Sequence, residues 1–298
     1  FISYGMPNDN LKNYLHLHFI VFIWGFTAIL GALISLDALP LVWFRMLFAV
    51  GFILIYIFIK KIPFRISTKS AVKFILTGFI IALHWFAFFK AIKVSNVSIT
   101  LACLSTGALF TSLLEPVLYG KKIVWYEVFF GLLVVLGLCI IFNVEGKYIE
   151  GMIYALICAF LSALFAVINS QFVKTHNPVI ISFYELAGGV VFFTGLLLFS
   201  HSFTPNFFQL SSKDFMYLMI LSSICTAYAI IASTSLMKHL SAYTVMLTIN
   251  LEPIYGIILA VIIFKEKEKM SPEFYIGAIL ILATVIINAI IKSRKKVA

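Results

Sequence analysis

At 298 residues, 62% apolar and 11% charged, with a mean hydropathy of +1.08, the chain is too apolar for a soluble domain, which is nearer half apolar and a quarter charged. Only helices and closed barrels satisfy their backbone in lipid, and apolar runs of about 20 residues are of helical span length. The sequence therefore reads as an all-α polytopic membrane protein. The formal charge of +10 does not mark a nucleic-acid binder, because Lys and Arg sit in short connections between apolar runs, where they orient a chain in a bilayer.

Ten transmembrane helices are expected, at roughly 15–34, 40–59, 72–91, 95–119, 124–142, 151–173, 179–199, 215–237, 241–264 and 274–291. The longer connections, Lys60 to Lys73 and Ser200 to Asp214, leave no room for a soluble domain. Function must then reside in or between the spans. The first Met is Met6, so Phe1 to Gly5 are expected to precede the native start, or the sequence is a fragment. No n-region, h-region and cleavage pattern stands ahead of the first span, and no cleaved leader is expected from these residues. Cys103, Cys139, Cys158 and Cys225 lie inside apolar runs without CxxC spacing, which supports neither a disulfide framework nor a zinc site.

With the N-terminus inside, the inward connections hold about twice as many Lys and Arg as the outward ones, which places both termini in the cytoplasm of a cell (inner) membrane protein. The tail Lys292 to Lys296 agrees, as an anchor at anionic headgroups. One constant shift overlays Ser95 on Ser241, Leu101 on Leu247, Gly131 on Gly277 and Leu136 on Leu282. The expected organisation is a cytoplasmic segment 1–14, a first five-helix repeat 15–142, a second 151–291 and a basic tail 292–298. An odd number of spans per repeat turns the second over. Two inverted five-helix repeats would place a substrate site at their interface near mid-membrane.

On several short motifs the sequence resembles the ten-span EamA branch of the drug/metabolite transporter superfamily. These are Trp24-Gly25, Arg45, Thr226-Ala227-Tyr228, Leu240-Ser241-Ala242, Leu251-Glu252-Pro253, Glu266 and Gly277. The likeness runs over essentially the whole chain and is fuller in the second half. In the first half Thr106-Gly107 stands where Glu252-Pro253 would be, and Gly120-Lys121 where Glu266 would be. The resemblance implies export of small metabolites such as amino acids.

Depth can be reckoned without the family. Counting ~16 Å inward at ~1.5 Å per residue reaches His84 in span three, Ser105 and Thr106 in span four, Thr226 and Tyr228 in span eight, and Asn250 and Glu252 in span nine. These residues are the candidate substrate-binding layer, with His84, Trp85 and Tyr228 as an aromatic wall. The bland alternative is hydroxyls bonded back to their own helices and ordinary aromatic packing. Glu252 is a buried acid beside a helix-breaking Pro253; it can bind a substrate ammonium, carry a coupled proton, or merely bridge helices. Arg45, ~8 Å from the outer end of span two, can gate, meet an anionic group, or snorkel outward.

Other polar residues read as structural. Glu185 and Glu115 are shallow and expected to pair with loop lysines. Lys265 to Lys269 reads as a solvated turn, and His16 with His18 does not form a metal pair. Ala155, Ala159 and Ala163 form a small-residue packing ridge. The reading is a secondary transporter, not an enzyme, that exports small metabolites by alternating access, with protons as a candidate coupling ion through Glu252. Its partners are the small-molecule substrate and the lipid bilayer, with no cofactor and no nucleic acid, as a monomer or homodimer. The alternatives are a nucleotide-sugar or sugar-phosphate carrier, which wants basic residues along its cavity, and a membrane lipid-modifying enzyme, which wants clustered acids for a metal. No Walker loop suggests direct ATP hydrolysis.

Overall fold

The computed structural model describes residues 7–120, 125–240, 242–249 and 251–295, and these are helical with no strand among them. The first half holds α1 (Pro7–Leu33), α2 (Ala38–Ile59), α3 (Thr68–Val94), α4 (Val97–Leu104), α5 (Gly107–Tyr119) and α6 (Trp125–Val144). The second holds α7 (Ile149–Phe172), α8 (Pro178–Phe199), α9 (Ser212–Ser222), α10 (Ala229–Leu236), α11 (Ala242–Ile249), α12 (Glu252–Phe264) and α13 (Pro272–Lys295).

Seven segments among the described residues are long and apolar enough to cross a membrane: Leu11–Leu33, Ala38–Ile59, Thr68–Val94, Val97–Tyr119, Gly146–Phe172, Pro178–Phe199 and Ser212–Leu236. Val128–Ile141 and Pro272–Thr284 are shorter apolar helices. The remaining expected span, 241–264, is divided into α11 and α12. Outward-facing Phe58, Val117, Trp125 and Phe199 are exposed, as suits a surface solvated by lipid rather than water.

Helix starts follow the sequence. Ser67, Asn96, Asn177 and Ser211 each accept a backbone N–H of the helix they open, relieving donors that have no partner in the first turn. Pro178 occupies the first turn of α8, where a missing N–H costs nothing. The turn after α12 departs from the solvated reading. Glu266 and Lys269 do pair at 3.5 Å in the open, but Glu268 is only 4% exposed. Its carboxylate accepts from the Val97 and Ser98 amides, both at 2.9 Å, and from Ser98 Oγ at 2.7 Å. A loop of the second half thus caps the N-terminus of α4 in the first, where a negative charge is favoured.

The centre is organised around α3, which packs on both α7 and α8. Glycine lets backbones touch there: a Cβ at Gly78 would run into the Glu185 carbonyl, and one at Gly188 would meet the backbone of Ile75. α6 and α13 also meet reciprocally, a Cβ at Gly137 lying 3.0 Å from the Gly277 carbonyl and one at Gly277 lying 2.9 Å from that of Gly137. Such small-residue contacts supply close packing where lipid gives no hydrophobic drive.

Two spans break at corresponding places. Between α4 and α5 the break falls at Ser105 and Thr106, whose hydroxyls bond back to the Leu101 and Cys103 carbonyls at 3.2 and 2.8 Å. Between α11 and α12 the helix restarts at Glu252-Pro253. Pro253 has no N–H to give the Ile249 carbonyl, and its ring would clash with it. A third irregularity is the π-helical turn Ser223–Tyr228 that joins α9 to α10.

Candidate functional site

Leu104 ahead of the first break, Glu252 at the second and Cys225 in the π turn all line one cavity between the halves. It offers ≈ 80 Å³ to the centre of a water-sized sphere, where one water needs about 10–15 Å³. α1 contributes Trp24 and Thr27, α2 Arg45, and α3 His84, Trp85 and Phe88. The second half adds Ser162, Phe165 and Asn169 from α7, Ser233 and Thr234 from α10, Met246 from α11 and Glu252 from α12.

Arg45 is the principal cation of the wall. It is 1% exposed and has not snorkelled outward. The guanidinium lies 3.9 Å from the Trp85 ring centroid and 5.4 Å from that of Phe89, a stacked arrangement worth most when desolvated. Nε donates to Thr226 Oγ1 at 2.7 Å, while Nη1 has no protein partner. The π turn makes this contact: Thr226 Oγ1 donates to the Leu221 carbonyl five residues back at 2.6 Å, so its lone pairs face Arg45. π bulges of this kind gather at functional sites.

Glu252 is 5% exposed on the same cavity. Among the described residues it forms no ion pair within 4 Å with Arg45. A guanidinium and a carboxyl therefore share one wall beyond ion-pair distance of each other. His84 is fixed by its Nδ1, 2.9 Å from the Cys158 carbonyl. A carbonyl only accepts, so Nδ1 carries the proton and a neutral His84 keeps Nε2 as an acceptor. Phe165 meets the His84 ring edge to face at 5.3 Å.

Of the residues expected from sequence, His84, Trp85, Arg45 and Glu252 come together on the cavity wall, and Thr226 stands behind Arg45. Ser105 and Thr106 are buried but turn back onto their own helix and do not line the cavity. Tyr228 also lies off it; 42% exposed, its hydroxyl is 2.8 Å from His16 Nε2 on α1. Asn250 lies outside the described residues. Ser162, Asn169, Ser233 and Thr234 were not anticipated. In α7 the signal was present, since Ser162, Phe165, Ala166 and Asn169 recur at helical spacing on one face; reckoning by a single depth passes over the residue nearest the helix end.

Glu185 also differs from its expected shallow pairing with a lysine. It is 0% exposed and accepts from Asn169 Nδ2 at 3.2 Å. Met237 lies on the wall of the cavity and also of a surface depression bordered by Lys174, His176 and Lys238. Among the described residues no cluster of three His, Cys, Asp or Glu could hold a metal.

Comparison with known proteins agrees with a two-part chain. The profile of the EamA-like transporter family matches twice, over residues 12–143 and 149–290. An uncharacterized transporter of Archaeoglobus fulgidus is 27% identical over 203 residues, covering 67% of this chain and 69% of its own. A solved crystal structure superposes with a TM-score of 0.67 over 93% of this chain and 96% of its own, at 15% identity. At that identity the likeness is one of fold.

Proposed function

Because this chain belongs to the EamA-like transporter family, we propose that it exports small zwitterionic metabolites, amino acids or close analogues, across the cell (inner) membrane. The carrying observation is a guanidinium and a carboxyl on one cavity, Arg45 and Glu252, with no ion pair between them among the described residues. Uncompensated buried charge costs several kcal/mol, and a zwitterion compensates both groups at once. Its carboxylate meets the Arg45 guanidinium, whose planar fork suits that geometry. Its ammonium meets Glu252, and its side chain packs on Trp85 and Phe88.

Alternating access follows from ten spans arranged as two inverted five-helix repeats, 15–142 and 151–291, with both termini cytoplasmic. The twofold family match and the two breaks at corresponding positions support that arrangement. Half-helix ends near a midplane site are a common transporter device, and here α12 begins at Glu252 itself. The depression beyond Met237 lies on the face that the positive-inside rule assigns to the cytoplasm.

Counterflow in proteoliposomes with a panel of amino acids tests this reading. Saturable exchange of at least one zwitterion, competed by other zwitterions and by neither the free amine nor the free acid alone, is the expected result. Exchange confined to sugar phosphates would replace it with a phosphorylated-sugar carrier, for which Arg45 would be the phosphate ligand. A fusion after Ala298 that reports the outer face would overturn the orientation.

A further inference from the structure

We propose that Glu185, with Asn169 and Ser182, forms a proton-binding site beside the substrate cavity, and that this proton is the coupling ion. The inference rests on the transport reading above and assigns to Glu185 a role separate from that of Glu252.

Two buried polar side chains, Asn169 on α7 and Glu185 on α8, meet, and Ser182 precedes Glu185 by one turn. Asn169, Ser182 and Glu185 are each at most 1% exposed. Glu185 Oε2 accepts from Asn169 Nδ2 at 3.2 Å. Glu185 Oε1, Asn169 Oδ1 and Ser182 Oγ, all buried, have no protein partner. Ser182 and Glu185 are one turn apart on α8 and so share a face. Unpartnered buried polar atoms are uncommon in native proteins, and a carboxyl oxygen and a hydroxyl both left unpartnered on one face of α8, beside a bonded amide, point to a small ligand.

The chemistry selects a proton. Among the described residues Glu185 forms no ion pair. The ionisable groups of the packed helices are engaged or remote: Arg45 on α2 bonds Thr226, His84 on α3 bonds the Cys158 carbonyl, and Lys73 on α3 is exposed. Cys158 on α7 is held at His84, and Tyr184 on α8 packs with Phe64 and Phe183; α10 carries no ionisable side chain. A carboxylate with no cation is costly at membrane depth, whereas the acid needs only an acceptor for its O–H. The few oxygens here fall short of the six or more that a divalent cation takes.

Asn169 links this site to the substrate because it also lines the cavity. Its amide presents either an N–H to a carboxylate or a C=O to a carboxylic acid. A substrate donor at Asn169 Oδ1 holds the amide with N–H toward Glu185, the arrangement shown, which suits the carboxylate form. Departure of the substrate frees the amide to turn, which suits the acid. Substrate entry from the cytoplasm then releases the proton from the Glu185 carboxyl to water there, and substrate exit outside lets a proton return.

The test uses proteoliposomes holding wild type, Glu185→Gln or Glu185→Asp, assayed with a mixture of neutral amino acids. Counterflow moves no net proton and is expected in all three. A gradient of one pH unit should give wild type about tenfold accumulation for each coupled proton, which Glu185→Gln loses and Glu185→Asp retains. Accumulation by Glu185→Gln equal to wild type overturns the proposal and returns the proton to Glu252. A wild-type response to a sodium gradient and not to pH overturns it as well. If Glu185→Gln does not fold, Ser182→Ala must weaken the response to the gradient while counterflow continues, and a wild-type response there overturns the site.

Absence of counterflow in wild type would instead reject the transport reading. The proton site is then judged by infrared spectroscopy of the purified protein. A protonated-carboxyl band that Glu185→Gln removes supports it, and an unchanged band overturns it.

Discussion

The two broken spans show how one backbone irregularity serves different ends. Between α4 and α5 the interruption is made by hydroxyls: Ser105 and Thr106 bond carbonyls of their own helix, and nothing polar is left over for the cavity. Between α11 and α12 it is made by Pro253, which satisfies nothing and leaves the adjacent Glu252 on the cavity wall. A break in a membrane helix therefore marks a site only where the polar group that accompanies it stays unspent. The short helix α4 that leads to the first break is held at its opposite, buried end by Glu268 of the second half, so the two halves differ in burden as well as in chemistry.

The sharpest test of that difference is Glu252→Gln. Loss of one member of a buried charge interaction costs about 2 kcal/mol or more, so zwitterion affinity should fall at least about 30-fold in a binding assay, with the fold intact by size exclusion. Arg45→Lys comes next. It keeps the charge but not the planar fork stacked on Trp85, and about a tenfold rise in KM for exchange is expected. Pro253→Ala restores the missing N–H and lets α11 and α12 join. Turnover should drop severalfold with little change in affinity, as for a hinge made stiffer. Thr106→Val should do least, within about 0.5 kcal/mol in stability and without measurable effect on exchange. Equal losses for Thr106→Val and Glu252→Gln would erase the distinction between the breaks.

The legible parts of this protein are those written in local pattern. Apolar run length announced a membrane-spanning helical chain, and Glu252-Pro253 announced itself as an acid and a breaker inside one run. Arg45, His84 and Trp85 were also picked out, though nothing in the sequence said that the first would stack on the third. Depth alone misjudged the direction of side chains. Tyr228 was reckoned at the same depth as the others, yet the π turn sends it to His16, while Thr226 two residues earlier reaches Arg45. Glu185 was misjudged in the opposite sense, because Gly78 lets α3 press onto its backbone and bury a carboxyl that linear distance from the helix end had left near water.

By itself the sequence determined the class of solvent around this chain, its helical character and its two-part organisation. Those follow from composition and from the length of apolar runs, which are properties of single segments. Tertiary structure decided which polar groups remain free, since that depends on the partner each one finds on a helix distant in sequence. Arg45 against Thr226, Asn169 against Glu185 and Glu268 against the start of α4 are contacts between separate segments. A hydrogen bond spent locally and one left for a ligand look the same in the chain and differ only once the helices are packed.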